Sequence, residues 1–208
     1  IATVVLPQNL SLTNFSTPFT YRTGAMSAAP FEADAFSGKL NGSYHLDPGS
    51  PSQLEVDATG LDIAKIGKTA NPNSSSTLTG SLALQSKWQG AETGKLTGEG
   101  DAQITHGKLN GVSALNDLAG ILRINELRDP VLKSVKTHFS VANGTTHFTD
   151  LRIESPAFVM TVHGDGLLKG KRDAEMSLTI GGARLPGGVG SIPWQLGGRV
   201  SGPHGDIN

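Results

Sequence analysis

The chain has 208 residues, with 17 Lys and Arg against 18 Asp and Glu, 27 glycines, 5% aromatic residues and no cysteine. The balanced charge excludes the basic field that nucleic acid recognition needs and the acidic run of a solvating tail. The missing cysteines exclude disulfides, thiol nucleophiles and cysteine-ligated metals, and leave the redox compartment open. The length suffices for one large all-β domain or two smaller ones with a real core.

No run approaches the roughly 18 apolar residues of a membrane-spanning helix. The opening Ile1 to Leu6 lacks a charged flank and a cleavage site. It reads as a strand entered midway, and Gly202-Pro203-His204-Gly205 reads as a cut in a loop. The expectation is a piece of a longer protein, with any anchor outside this chain.

Residues 1 to 35 carry strand-like runs at Val4 to Leu6, Leu10 to Leu12 and Phe19 to Tyr21, broken by Pro7, Pro18, Gly24 and Pro30. From Phe36 the alternation is regular: Phe36, Gly38, Leu40, Gly42, Tyr44 and Leu46 interleave with polar residues. A period of two predicts a half-buried strand with one apolar and one wet face. It ends at the turn Asp47 to Pro51. Leu54, Val56 and Ala58 repeat the pattern and close at Gly60, after which Leu61 to Gly67 has room for one or two helical turns.

Beyond the polar loop Asn71 to Ser76, the residues Leu78, Leu82, Leu84 and Trp88 share one parity, and Leu96, Ala102 and Ile104 continue it after Gln89-Gly90. Gly80, Gly98 and Gly100 stand on that apolar face, where a missing side chain weakens packing in a flat sheet but gives a curved one room to bend. Curvature is the preferred reading. Ser113 then opens a helix of about 113–128, its stripe formed by Leu115, Leu118, Ala119 and Leu122, with Asp117 near the first turn and Pro130 forcing a stop.

Asn143-Gly144 is the preferred pair for a type I′ hairpin. It sets Phe139 opposite Phe148 on the apolar face, with His138 and His147 on the other. A bulge is expected near Thr149-Asp150, where the apolar parity slips toward Leu151 and Ile153. Phe158, Met160 and Val162 make the next strand, turned by Gly164-Asp165-Gly166; Ala174, Met176, Leu178 and Ile180 make another. Residues 181 to 193 read as irregular, and Trp194, Leu196 and Val200 as a final strand. On the order of ten or more antiparallel strands around one inserted helix make a mainly β fold.

The residues offer no chemistry by pattern. Nucleophile elbow, P-loop and dinucleotide fingerprint are all missing. The six histidines contain no pair at metal-binding spacing; His138 and His147 come near each other only across the hairpin, and two ligands make a weak site. Asp165 between two glycines is one carboxylate where calcium takes six to eight oxygens. Asn9, Asn14, Asn41, Asn73 and Asn143 each stand two places before Ser or Thr, as chance provides in such a composition. No cofactor and no metal is expected, and an enzyme is not. What remains is the apolar face, either a closed core or an open trough able to take a ligand or face a membrane.

The order of short motifs is similar to the C-terminal region of the AsmA-like family of bacterial envelope proteins. It starts at Leu54-Glu55-Val56-Asp57-Ala58 and Gly60-Leu61-Asp62-Ile63, and passes through Leu78-Thr79-Gly80-Ser81-Leu82 and Leu96-Thr97-Gly98-Glu99-Gly100. Ile104 to Gly111 leads into the helix. Thr137 to Gly144, Asp150 to Pro156 and Gly164-Asp165-Gly166 resemble the family most closely. The resemblance covers 54–203, preceded by strands over 1–53 and followed by a tail at 204–208; residues 126 to 133 fit loosely and the first 50 carry no family motif.

The resemblance implies a long curved antiparallel sheet, a half-pipe or taco-like groove with an apolar inner face. It also implies a periplasmic segment tied to the bacterial inner membrane through a part absent from this chain, carrying phospholipid or another acyl-chain lipid toward the outer membrane. The groove candidates are Leu82, Leu84, Leu96, Ile104, Phe139, Val141, Phe148, Phe158, Met160, Val162, Met176, Leu178 and Ile180, some of which are expected to pack under the helix instead. The alternative is a structural or interaction module supporting outer-membrane assembly, with envelope proteins as partners. A polysaccharide-binding domain ranks last, since two Trp and two Tyr supply few stacking platforms.

Overall fold

The computed structural model describes residues 2–6, 10–70, 72, 77–90, 95–111, 113–123, 125–156, 158–167, 172–180 and 194–202. Strands dominate: β1 (Ala2–Leu6), β2 (Leu10–Ser16), β3 (Phe19–Arg22), β4 (Ala25–Ala35), β5 (Gly38–Leu46), β6 (Gln53–Asp62), β7 (Thr77–Gln89), β8 (Thr97–Asn110), β9 (Val131–Ala142), β10 (Thr145–Glu154), β11 (Val159–Leu167), β12 (Arg172–Ile180) and β13 (Trp194–Gly202). They form one open antiparallel sheet in chain order, β3 alone standing off the path as a partner of β4. The sheet runs without a break across residue 53, where β5 and β6 pair from His45↔Gln53 to Lys39↔Thr59.

The predicted hairpin forms as its turn chemistry requires. Asn143 and Gly144 take φ of 52° and 75°, pairing Ala142 with Thr145 and Phe139 with Phe148. A second two-residue turn escapes the sequence pattern: Phe36 and Ser37 take φ of 45° and 67° between the paired Ala35 and Gly38, so Phe36 belongs to the turn and the strand starts at Gly38. Three breaks expected from Gly or Pro are crossed instead. β4 runs through Pro30 by a register shift between Ala28 and Phe31, and β6 runs through Gly60 by a shift between Ala58 and Leu61. Gly164 to Gly166 lies within β11, paired to β10 and β12, so the turn placed there is corrected.

These shifts recur on alternate strands. β4, β6, β8 and β10 each carry an extra residue; the one on β8 sits at His106 opposite Gly80, and the one on β10 falls at the predicted 149–150. Each bulge increases the local twist and bends the strand, which is how a wide sheet coils. His106 adopts φ 53°, switching the buried parity of β8 from Ile104 to Gly107.

Two helices, α1 (Ile63–Ala70) and α2 (Ser113–Leu122), and a 3-10 turn over Asn125–Leu127 accompany the sheet. Asp62 caps α1: its Oδ1 accepts from the Ala64 and Lys65 amides at 3.0 and 3.3 Å. α2 is shorter than the 113–128 expected, because Arg123 turns left-handed at φ 55° and the chain continues as the 3-10 turn. Asp117 falls beyond its first turn, out of reach of the favourable macrodipole end. The side chains of Ser113, Leu118 and Leu122 are outside the described set. Among the described residues no helix is long and apolar enough to cross a membrane.

Candidate functional site

Antiparallel register turns the alternation of single strands into continuous rows across the sheet. Directly paired residues face the same way. One row is Leu61, Leu82, Ile104, Val135, Ile153 and Met160, continuing to the backbone position of Leu178. The next is Leu40, Ala58, Leu84, Ala102 and Thr137; then Gly42, Val56, Ser86, Gly100, Phe139 and Phe148; then Tyr44, Leu54, Trp88, Gly98 and Val141. Together they make a single apolar face.

The helices cover one edge of that face. Ile104, Leu132, Val135 and Phe158 are buried in a cluster with Ala119 of α2 and Leu127 of the 3-10 turn, and Ile63, Leu82, Leu151, Ile153 and Met160 pack against it. Phe158, 1% exposed, precedes β11 rather than lying in it. Across the face, Leu54, Val56, Leu84, Leu96, Trp88, Phe139, Phe148 and Val162 are only half-buried, while Val141 is buried. A smaller cluster of Leu12, Ala33 and Ala35 with Phe15, Phe36 and Leu40 closes the N-terminal end.

The structure therefore divides the predicted groove residues. Ile104, Phe158 and Val141 are buried, the first two in the helix-covered core; Leu82 and Met160 pack against that core and, like Leu84, Leu96, Phe139, Phe148 and Val162, are half-buried. Met176, Leu178 and Ile180 hold backbone positions opposite Val162, Met160 and Trp194, and their side chains lie outside the described residues. The described strands form a single layer whose apolar face is only partly covered.

Glycine and aromatic side chains interlock on the half-covered part. A methyl group on Gly98 would overlap the Trp88 indole, one on Gly100 would come 2.9 Å from Phe139 Cζ, and one on Gly42 would come 2.6 Å from Phe31 Cζ. Rings from neighbouring strands thus lie over the bare backbone, and Trp88 and Phe139 meet with centroids 6.1 Å apart. The glycines serve packing as well as bending.

The opposite face is polar and hydrogen-bonded from strand to strand. Gln85 donates to Asp57 at 3.1 Å, Lys87 pairs with Glu55 at 3.0 Å, and Asp101 meets His138 Nδ1 at 3.0 Å. His138 is engaged by Asp101, and His147 pairs in register with Ser140. Two adjoining open depressions of about 640 and 540 Å³ lie on this side, sharing Asp57, Gln85, Asp101 and His138. Among the groove candidates, Leu84 borders the larger one.

Lys39, more than Asn14, hydrogen-bonds the Asp34 carboxyl and holds it below the usual carboxylate range; Arg152 does the same for Glu154. Among the described residues, no three His, Asp or Glu gather as a metal site would require. Compared with protein-family models, with curated proteins and with solved structures, the chain matches none.

Proposed function

We propose that this chain is a lipid-conducting segment of the bacterial periplasm, offering the half-covered apolar face to the acyl chains of phospholipid moving between inner and outer membrane. The observation that carries the reading is the set of apolar rows running across strand after strand while Leu54, Val56, Leu84 and Phe139 stay only half-buried. An acyl chain loses about 0.8 kcal/mol per CH₂ on leaving an apolar surface for water. A continuous row therefore lowers the barrier to transfer without a catalytic group. The resemblance of residues 54–203 to AsmA-like proteins supports the same assignment.

Native mass spectrometry of the purified chain is expected to find bound phospholipid, and a fluorescent fatty acid should be taken up from solution. Leu84→Glu is expected to abolish uptake while lowering the melting temperature little. Unfolding by that change, together with a ligand-free wild type, would support the second reading, a structural module for envelope assembly. The buried cluster under α2 is what favours that alternative.

A further inference from the structure

The apolar face ends, at the strand termini away from the helices, in an aromatic lip. Register carries Phe19 through Ala28, Tyr44 and Leu54 to Trp88 in one row, and Tyr21 through Met26 to Leu46 in the next. Both tyrosines of the chain and one of its two tryptophans stand in these two rows. Phe19 and Tyr21 are 60% and 67% exposed, and every residue of β3 is exposed. A short edge strand that displays two rings on one side is a poor core element.

An exposed phenyl and an exposed phenol at the margin of an apolar surface, with the half-buried Tyr44 and Trp88 behind them, match the chemistry of the headgroup boundary of a bilayer. Charge points the same way. Arg22 ends β3 and is exposed, and Lys95 before β8 is exposed, against the exposed Asp47 in the turn after β5. Cations interleaved with aromatics suit anionic phosphate groups.

We infer that this lip docks on the surface of an anionic phospholipid bilayer, with Phe19 and Tyr21 entering the headgroup boundary and Arg22 meeting phosphate. The inference rests on the lipid reading of the adjoining face and names the surface from which that face is loaded or emptied. Docking through β3 brings the row of Tyr44, Leu54 and Trp88 next to the bilayer while the helix-covered edge points away.

The test is flotation of the full chain with phosphatidylcholine vesicles, with and without phosphatidylglycerol. Wild type is expected to float with the anionic vesicles, less so as salt is raised. The double variant F19S/Y21S is expected to bind at least about tenfold more weakly with an unchanged melting curve. Because the chain lacks cysteine, Tyr21→Cys carrying an environment-sensitive dye gives a second readout, a blue shift on adding vesicles. Wild-type binding retained in F19S/Y21S, or no flotation of the wild type, overturns the proposal. Uptake of a fluorescent fatty acid from vesicle-free solution is read separately. If it is lacking in both proteins while only the wild type floats, the groove reading fails and the docking lip stands.

Discussion

The two edges of the apolar face are made from the same alternating strands and differ in what lies over them. Beneath α2 and the 3-10 turn, Ile104, Leu132, Val135 and Phe158 are excluded from water; toward the strand ends near Tyr44 and Trp88, Leu54, Val56 and Phe139 stay only half-buried, although Val141 beside them is buried. Alternation in a strand therefore specifies which face is apolar, and a separate element decides whether that face becomes core or surface. Here the decision rests on a ten-residue helix and the turn that follows it.

The largest effect that separates the edges is cavity formation. Phe158→Ala or Leu127→Ala, at 1% and 0% exposure, should cost about 3–5 kcal/mol, and Leu84→Ala on the half-covered part about 1 kcal/mol. Chemical denaturation of the three variants checks this, and equal losses would mean that the edges are packed alike. Next comes overpacking: Gly98→Val forces the Trp88 indole off the strand and is expected to cost about 1–3 kcal/mol. A red-shifted Trp emission should accompany it. Removing the cap of α1 with Asp62→Ala should cost about 1 kcal/mol, and Asp62→Asn much less.

The smallest effect is electrostatic and lies outside the apolar face. Since Lys39 and Asn14 depress the Asp34 pKa in the folded chain, the stabilisation is present above the ordinary carboxylate range and disappears as pH falls through the depressed folded value. Asp34→Asn should melt slightly below wild type at neutral pH, and the two melting temperatures should converge on acidification. A difference that grew in acid would contradict the assignment.

Strand identity was legible wherever a side-chain period of two met a recognisable turn pair, as from Phe139 to Ile153, where register, hairpin and bulge follow from Phe139, Asn143-Gly144 and Leu151. It was illegible where the backbone used an atypical residue. Phe36-Ser37 closes a hairpin with no Asn, Asp or Gly at its two positive-φ positions, and β4 continues past Pro30 because the bulge there takes up the residue that cannot join the ladder. The partition of the face was illegible for another reason: Ile104 and Leu84 look alike in sequence, and only the tertiary path of α2 distinguishes them. The aromatic lip was hidden similarly, since Phe19 and Tyr44 are joined by pairing through β4 and not by any spacing in the chain.

The placement of bulges on every second strand, β4, β6, β8 and β10, makes the repeating unit a hairpin of one plain and one bulged strand. Since successive strands pair almost entirely in chain order, each unit depends on its neighbours and not on the far end of the sheet, as in solenoids. Length then becomes a heritable variable separate from fold. Duplication or loss of a whole hairpin preserves the alternation of faces, whereas loss of a single strand reverses every strand direction downstream and sets plain strands where bulged ones belong. In an architecture of this kind the width of the sheet is set by the number of hairpins.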